Sequence, residues 1–137
     1  MKITFPGGLA VNAEFKGYSV HSDQPVEYGG GGKAPAPFDL FLASIGTCAG
    51  LYALRFCQQR NLDTTGLGVT LSAEKDDSGT RIGTIHIAIE LPEGFPEKYR
   101  DAIIRAADQC AVKRHIMEPP HFEVTTVPAR YWESVEA

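Results

Sequence analysis

Pro37–Phe56 reads PFDLFLASIGTCAGLYALRF, and the fold turns on what kind of helix this stretch makes. Proline suits the first helical position, where its missing N–H would have no partner in any case. Asp39 falls in the first turn, where a carboxylate complements the positive end of the helix dipole. The pattern predicts a helix from Pro37 to about Asn61. Its apolar residues, Phe38, Leu40, Phe41, Leu42, Ile45, Leu51, Leu54 and Phe56, surround the axis instead of forming one stripe. Such a helix is central and buried on every side, or is covered by a partner chain. Arg55, Gln58, Gln59 and Arg60 mark a solvated C-terminal end, where cations suit the negative pole. The uncharged run after Asp39, Leu40–Leu54, is too short to cross a bilayer, and Gly46, Thr47 and Gly50 dilute it.

The flanks read as sheet. Lys2–Asp23 alternates loosely through KITF, LAVNAEF and YSVHSD, with turn chemistry at Pro6-Gly7-Gly8 and Lys16-Gly17, and predicts two or three antiparallel strands. Gln24–Pro37, with four glycines in a row at Gly29–Gly32, predicts a loop that serves as a linker or a functional lid. It lacks the Lys-Ser/Thr pair of a phosphate-binding P-loop. Beyond the helix, Gly66–Glu74 and Arg81–Leu91 alternate at period two around the polar KDDSGT, a β-hairpin. Pro92–Pro96 is a connector. Glu97–Cys110 is an amphipathic helix, with Tyr99, Ala102, Ile103, Ala106, Ala107 and Cys110 on one face. Ala111–Met117 continues as a short helical turn, Pro119-Pro120 stops it, and His121–Val127 (HFEVTTV) reads as a last strand. The order predicts a single α+β domain over 1–137, helices packed on antiparallel sheet.

Composition excludes several function classes. The chain has 137 residues and a formal charge of −4, and it carries no basic stripe for nucleic acid or an anionic membrane. MKITFPGGLAVNAEF lacks the apolar core and cleavage site of a signal peptide. Three cysteines in no metal-binding spacing fit a cytoplasmic protein with free thiols better than a secreted disulfide scaffold.

Helical phase sorts those cysteines. Cys57 lies nine residues beyond Cys48, half a turn out of phase at about 100° per residue. The two cannot share a site, and Cys57 reads as structural. Phe41, Ser44, Ile45, Tyr52 and Arg55 share the face of Cys48. Cys110 runs into Lys113, Arg114 and His115, cations that favour a thiolate if they face the sulfur and merely solvate a helix end if they do not.

PAPFDLFLASIGTCAGL (Pro35–Leu51), followed by CAVKRHI (Cys110–Ile116), resembles the OsmC/Ohr family of thiol-dependent peroxidases and their OsmC-like relatives. The shared pattern is a Gly/Pro-rich lead, a Pro-x-acid-Leu opening to a Cys-bearing central helix, and a second Cys in a Val-x-Lys/Arg context. The element order of the whole chain is similar too. The resemblance implies the OsmC-type fold, with antiparallel sheets around a buried central helix, in an intertwined homodimer with its active sites at the subunit interface. It implies that Cys48 attacks an organic hydroperoxide, that Cys110 resolves the product to a disulfide, and that an external dithiol reduces it. It implies no metal and no organic cofactor.

Two expected partners of the reactive thiol are absent. Leu9 stands where the peroxidases have an arginine, and Phe38 stands at their glutamate position. Candidate replacements are Asp39, Lys16, Glu27, Lys33, Arg55 and Arg114. Tyr52, one turn beyond Cys48, is a core tyrosine or a hydrogen-bonding neighbour of the sulfur. An alternative function follows from the same departures: an OsmC-like protein that binds or senses a lipid or acyl ligand in an apolar pocket walled by Phe38, Phe41 and Ile45.

Overall fold

Pro37–Gln59 forms one helix, α1, in a computed structural model that describes residues 1–129. Three strands precede it, β1 (Lys2–Gly7), β2 (Ala10–Phe15) and β3 (Tyr18–Ser22). After it come β4 (Gly68–Lys75), β5 (Ile82–Glu90), α2 (Arg100–Asp108) and α3 (Ala111–Met117). The first three strands make an antiparallel sheet in the order β1-β2-β3, and β4 and β5 make a hairpin. The architecture is α+β with antiparallel sheets.

Asp39 caps α1 at its start, accepting the Ala36 N–H at 3.1 Å. Ser44 and Thr47 bond back to the carbonyls of Phe41 and Ala43 at 2.6 and 2.8 Å, so their hydroxyls cost the helix little. Only one stripe of the helix is buried: Ile45, Ala49, Ala53, Phe56 and Cys57. Ala53, Phe56, Cys57 and Ile103 of α2 form the core, with Leu67, Ile89, Leu91 and Tyr99 packed around it. Tyr99 meets Phe56 edge-on at 5.8 Å, and the Arg60 guanidinium lies 3.7 Å over the other ring. Another side of α1 rests on β4, Gly46 facing Leu71 and Gly50 facing Val69.

Four expectations change here. α1 is not buried on every side within one chain, since Phe38, Phe41 and Leu51 remain exposed. The uncharged run is short, but the 23-residue helix as a whole is long and apolar enough to cross a membrane by length and composition. It packs against α2, α3 and the β4–β5 hairpin along its buried stripe. His121–Val127 forms no strand, although its pattern alternates. A strand needs a neighbour to pair with, and among the described residues this segment pairs with neither sheet. Phe122 and Val124 are left exposed.

The Gln24–Pro37 loop, expected as a linker or lid, is instead folded around Asp23. That carboxylate accepts N–H groups from Gln24 (2.7 Å), Gly31 (3.2 Å) and Lys33 (3.3 Å). The Gln24 N–H is the largest influence; although burial opposes it, the Lys33 and Gly31 N–H groups and the Lys33 ammonium add to it, and the carboxyl stays below its ordinary range. The loop also bonds to itself, Gly32 N–H to Gln24 carbonyl at 3.0 Å and Gly30 N–H to Pro25 carbonyl at 3.1 Å.

Candidate active site

Cys48 and Cys110 come together where α1 meets α3. Cys48 is half-buried on α1, and Cys110 is 1% exposed at the corner between α2 and α3. The two thiols lie close enough for each to influence the ionisation of the other. Cys57, 0% exposed in the core, takes no part, and burial pushes its thiol up.

The corner is built differently from the single helix expected over Glu97–Cys110. A short 3-10 turn at Glu97–Tyr99 leads into α2, which stops at Asp108. Cys110, at φ −46° and ψ 124°, then caps the start of α3. Its sulfur accepts the Lys113 N–H at 3.5 Å. The first N–H groups of any helix have no partner inside it. Here Lys113 gives its N–H to Cys110, while the free N–H groups of Ala111 and Val112 are near enough to favour a thiolate at Cys48.

The two thiols are thereby driven apart. Burial pushes the Cys48 thiol up. The Cys110 thiol and the Val112 and Ala111 N–H groups outweigh it and hold Cys48 below the ordinary thiol range. Hydrogen bonds to the charged form favour that form. Cys110 goes the other way: burial, its hydrogen bond to Cys48 and the repulsion of a Cys48 thiolate all hold its proton on, against the Lys113 and Val112 N–H groups. Of the two readings of Lys113, Arg114 and His115, the solvated helix end holds, since none of their charges acts on Cys110. The Lys113 ammonium is paired with Asp108, His115 Nδ1 lies 2.7 Å from the Ala111 carbonyl oxygen, and Arg114 is exposed.

The other candidates lie elsewhere. Asp39 is occupied as the α1 cap and lines a shallow depression with Gly46 and Leu71, on the β4 side of the helix. Lys33 sits beside Asp23, Lys16 is in the β2–β3 turn, and Glu27 is in a 3-10 turn at Val26–Tyr28. Arg55 is exposed and Tyr52 half-buried on α1, and neither acts on the Cys48 sulfur. What lowers the Cys48 thiol in place of the absent arginine and glutamate is the Cys110 thiol together with backbone N–H groups, and no residue-type motif reveals the latter.

An apolar groove of about 970 Å³ is lined by Phe38, Phe41, Ile45, Ile85, Ile116 and Met117 among others, and by neither cysteine. Lys75 and Arg81 stand at the hairpin end of it. A second depression of about 530 Å³ is lined by Ala49 and by Cys110 itself, and shares Ile87, Asp108 and Lys113 with the first.

The family profile described as OsmC-like protein matches residues 30–125, which hold both thiols and the groove-lining helices. The chain belongs to the OsmC-like family. No curated protein matches it. Among solved structures it is similar to a Psychrobacter arcticus protein named for osmotic stress induction and detoxification response. That pair shares 23% identity over 82% of this chain and 84% of the other, with a TM-score of 0.71. It is also similar to a Vibrio cholerae protein named for organic hydroperoxide resistance, whose structure has captopril bound in one of its active sites. There the identity is 20%, the coverage 85% and 83%, and the TM-score 0.56. At these identities the likeness is one of fold.

The thiol chemistry of this OsmC-like protein is directly measurable. In the folded protein, iodoacetamide should label Cys48 with a pH midpoint below about 8.5, the ordinary thiol value. Cys57 and Cys110, both buried, should label only on unfolding. Peptide mapping by mass spectrometry separates the three. A Cys48 midpoint at or above the ordinary value would mean that the α3 N–H groups do not stabilise its thiolate.

Proposed function

We propose that this OsmC-like protein reduces organic hydroperoxides through a Cys48/Cys110 redox pair. The observation that carries the reading is the contact between a thiol held toward thiolate and a second thiol held protonated beside it. The Cys48 thiolate attacks the terminal oxygen of ROOH, the O–O bond breaks, an alcohol leaves, and Cys48 becomes a sulfenic acid. Cys110 then attacks that sulfur, forming a disulfide and releasing water. A dithiol reductant returns both thiols by exchange. The two electrons that reduce the peroxide come from the two sulfurs, so no cofactor is needed. The apolar groove, which shares Ile87, Asp108 and Lys113 with the depression that Cys110 lines, suits an apolar R group.

The working unit in this reading is a homodimer with its sites at the subunit interface. Phe38, Phe41 and Leu51 leave one side of α1 uncovered, and Phe122 and Val124 belong to an extended segment with no strand neighbour. Among the described residues, the β1–β2–β3 sheet packs mainly on itself and not on the helices or the hairpin. Exposed apolar surface of this extent marks an interface, and a second copy is the occupant this reading assigns to it. The cytoplasm, which keeps thiols reduced, suits all three cysteines.

The test is anaerobic titration of the reduced protein with cumene hydroperoxide, together with sedimentation. One equivalent per chain should consume two thiols and yield a Cys48–Cys110 disulfide, and the protein should sediment as a dimer. If the thiols survive an excess of hydroperoxide, the groove is a binding site for an acyl or lipid ligand and the protein is not a peroxidase.

A further inference from the structure

Among the described residues, the chain buries only two polar side chains, Ser22 at 7% and Asp23 at 4% exposure, and they are neighbours. Burying a carboxylate costs a great deal unless hydrogen bonds surround it. Both residues stand at the junction between the β1–β2–β3 sheet and α1. That sheet packs mainly on itself, and its Ile3, Phe5 and Tyr18 side chains are exposed. A sheet with apolar side chains and no layer against them in its own chain needs a layer from elsewhere. Packing does not decide where this sheet points; the junction does.

The junction is bonded on both sides. Ser22 Oγ donates to the Val11 carbonyl of β2 at 2.5 Å. The Asp23 N–H donates at 3.1 Å to the carbonyl of Pro35, just ahead of the start of α1 at Pro37. The Asp23 carboxylate accepts the N–H groups of Gln24, Gly31 and Lys33, and so holds both ends of the intervening loop. A short bonded path thus runs from β2 through Ser22, Asp23 and Pro35 to the first turn of α1. The loop is folded onto that path. Without the carboxylate, Gly31 and Lys33 lose their acceptor, and the run Gly29–Gly32 is free to take other conformations.

We propose that Asp23 is a positioning residue for the subunit interface: it sets the direction in which the β1–β2–β3 sheet leaves α1, so that the sheet meets a second copy of this chain. The proposal rests on the homodimer reading above. Asp23 touches no reacting atom. It acts through the sheet, and because the bonded path ends on the helix that carries Cys48, it ties the placing of the second copy to that helix.

Sedimentation velocity over a range of concentrations, for wild type, Asp23→Asn and Asp23→Ala, measures the dimer. Iodoacetamide labelling of Cys57, 0% exposed in the core, reports whether the helices and hairpin stay folded. Asp23→Ala should raise the dimer dissociation constant about 10- to 100-fold, the weight of hydrogen bonds to a charged group, with Cys57 still protected. Asp23→Asn, which keeps the shape and a neutral acceptor, should weaken the dimer less, and it decides the matter if the alanine variant does not fold. Where the variant dimer is half dissociated, hydroperoxide consumption per chain should rise with protein concentration, while that of wild type stays constant. An unchanged dissociation constant in both variants overturns the role of Asp23 and leaves the dimer standing. Loss of Cys57 protection in Asp23→Asn makes Asp23 a support of the core itself and likewise overturns the role. A wild type that sediments as a monomer overturns the homodimer reading and this inference with it.

Discussion

Cys48→Ser is expected to lower hydroperoxide consumption by at least about a thousandfold, the scale on which removing a nucleophile acts. The hydroxyl has the thiol's place and can accept the same N–H groups from Ala111 and Val112, but it does not ionise near neutral pH. The effect should therefore lie in chemistry and not in folding. Cys48 is half-buried and outside the core cluster of Ala53, Phe56, Cys57 and Ile103, so the variant should unfold close to where wild type does. Cys57→Ser is the complementary control. That thiol fills core space at 0% exposure, and its loss should cost stability while leaving the thiol pair intact. Stopped-flow consumption of tert-butyl hydroperoxide checks both. A Cys48→Ser rate within tenfold of wild type would exclude this residue as the attacking group.

The parts of this fold that the sequence declares are those set by local chemistry. Pro37 and Asp39 mark the start of α1, alternation around KDDSGT gives the β4–β5 hairpin, and helical phase separates Cys57 from Cys48. Features that depend on something outside the segment are not declared. His121–Val127 alternates like a strand, yet a strand exists only beside a partner. The break at Gln109–Cys110 carries neither glycine nor proline, so periodicity runs straight through it and puts Cys110 on a helix face instead of at a cap. The same break hides the source of thiol activation. No arginine, glutamate or histidine acts on Cys48; the groups that lower it are the Cys110 thiol and the N–H groups of Val112 and Ala111, the latter available only where a helix begins. The cations that draw the eye, Lys113, Arg114 and His115, are spent on Asp108, solvent and a backbone carbonyl.

Gly30→Ala is expected to be the most damaging substitution outside the core, at about 3 kcal/mol, the upper range for forcing extra atoms into a packed site. A Cβ on Gly30 would stand 1.9 Å from the Gln24 carbonyl oxygen and 2.5 Å from its carbon. These are backbone atoms, and that oxygen is already fixed by the Gly32 N–H at 3.0 Å, so neither side can yield without opening the loop. Opening it strips Asp23 of the Gly31 and Lys33 N–H groups. Urea unfolding should show the loss. The same nest makes an acid-limb prediction. The Asp23 carboxyl is held below its free value of 3.8, so its ionised form stabilises the fold above about that pH, and the contribution fades as pH falls through the lower folded value. The stability gap between wild type and Asp23→Asn should thus be flat from pH 7 down to about pH 4 and narrow below it. A gap that stays constant into strong acid would mean that the loop is held by its backbone bonds and not by the charge of Asp23.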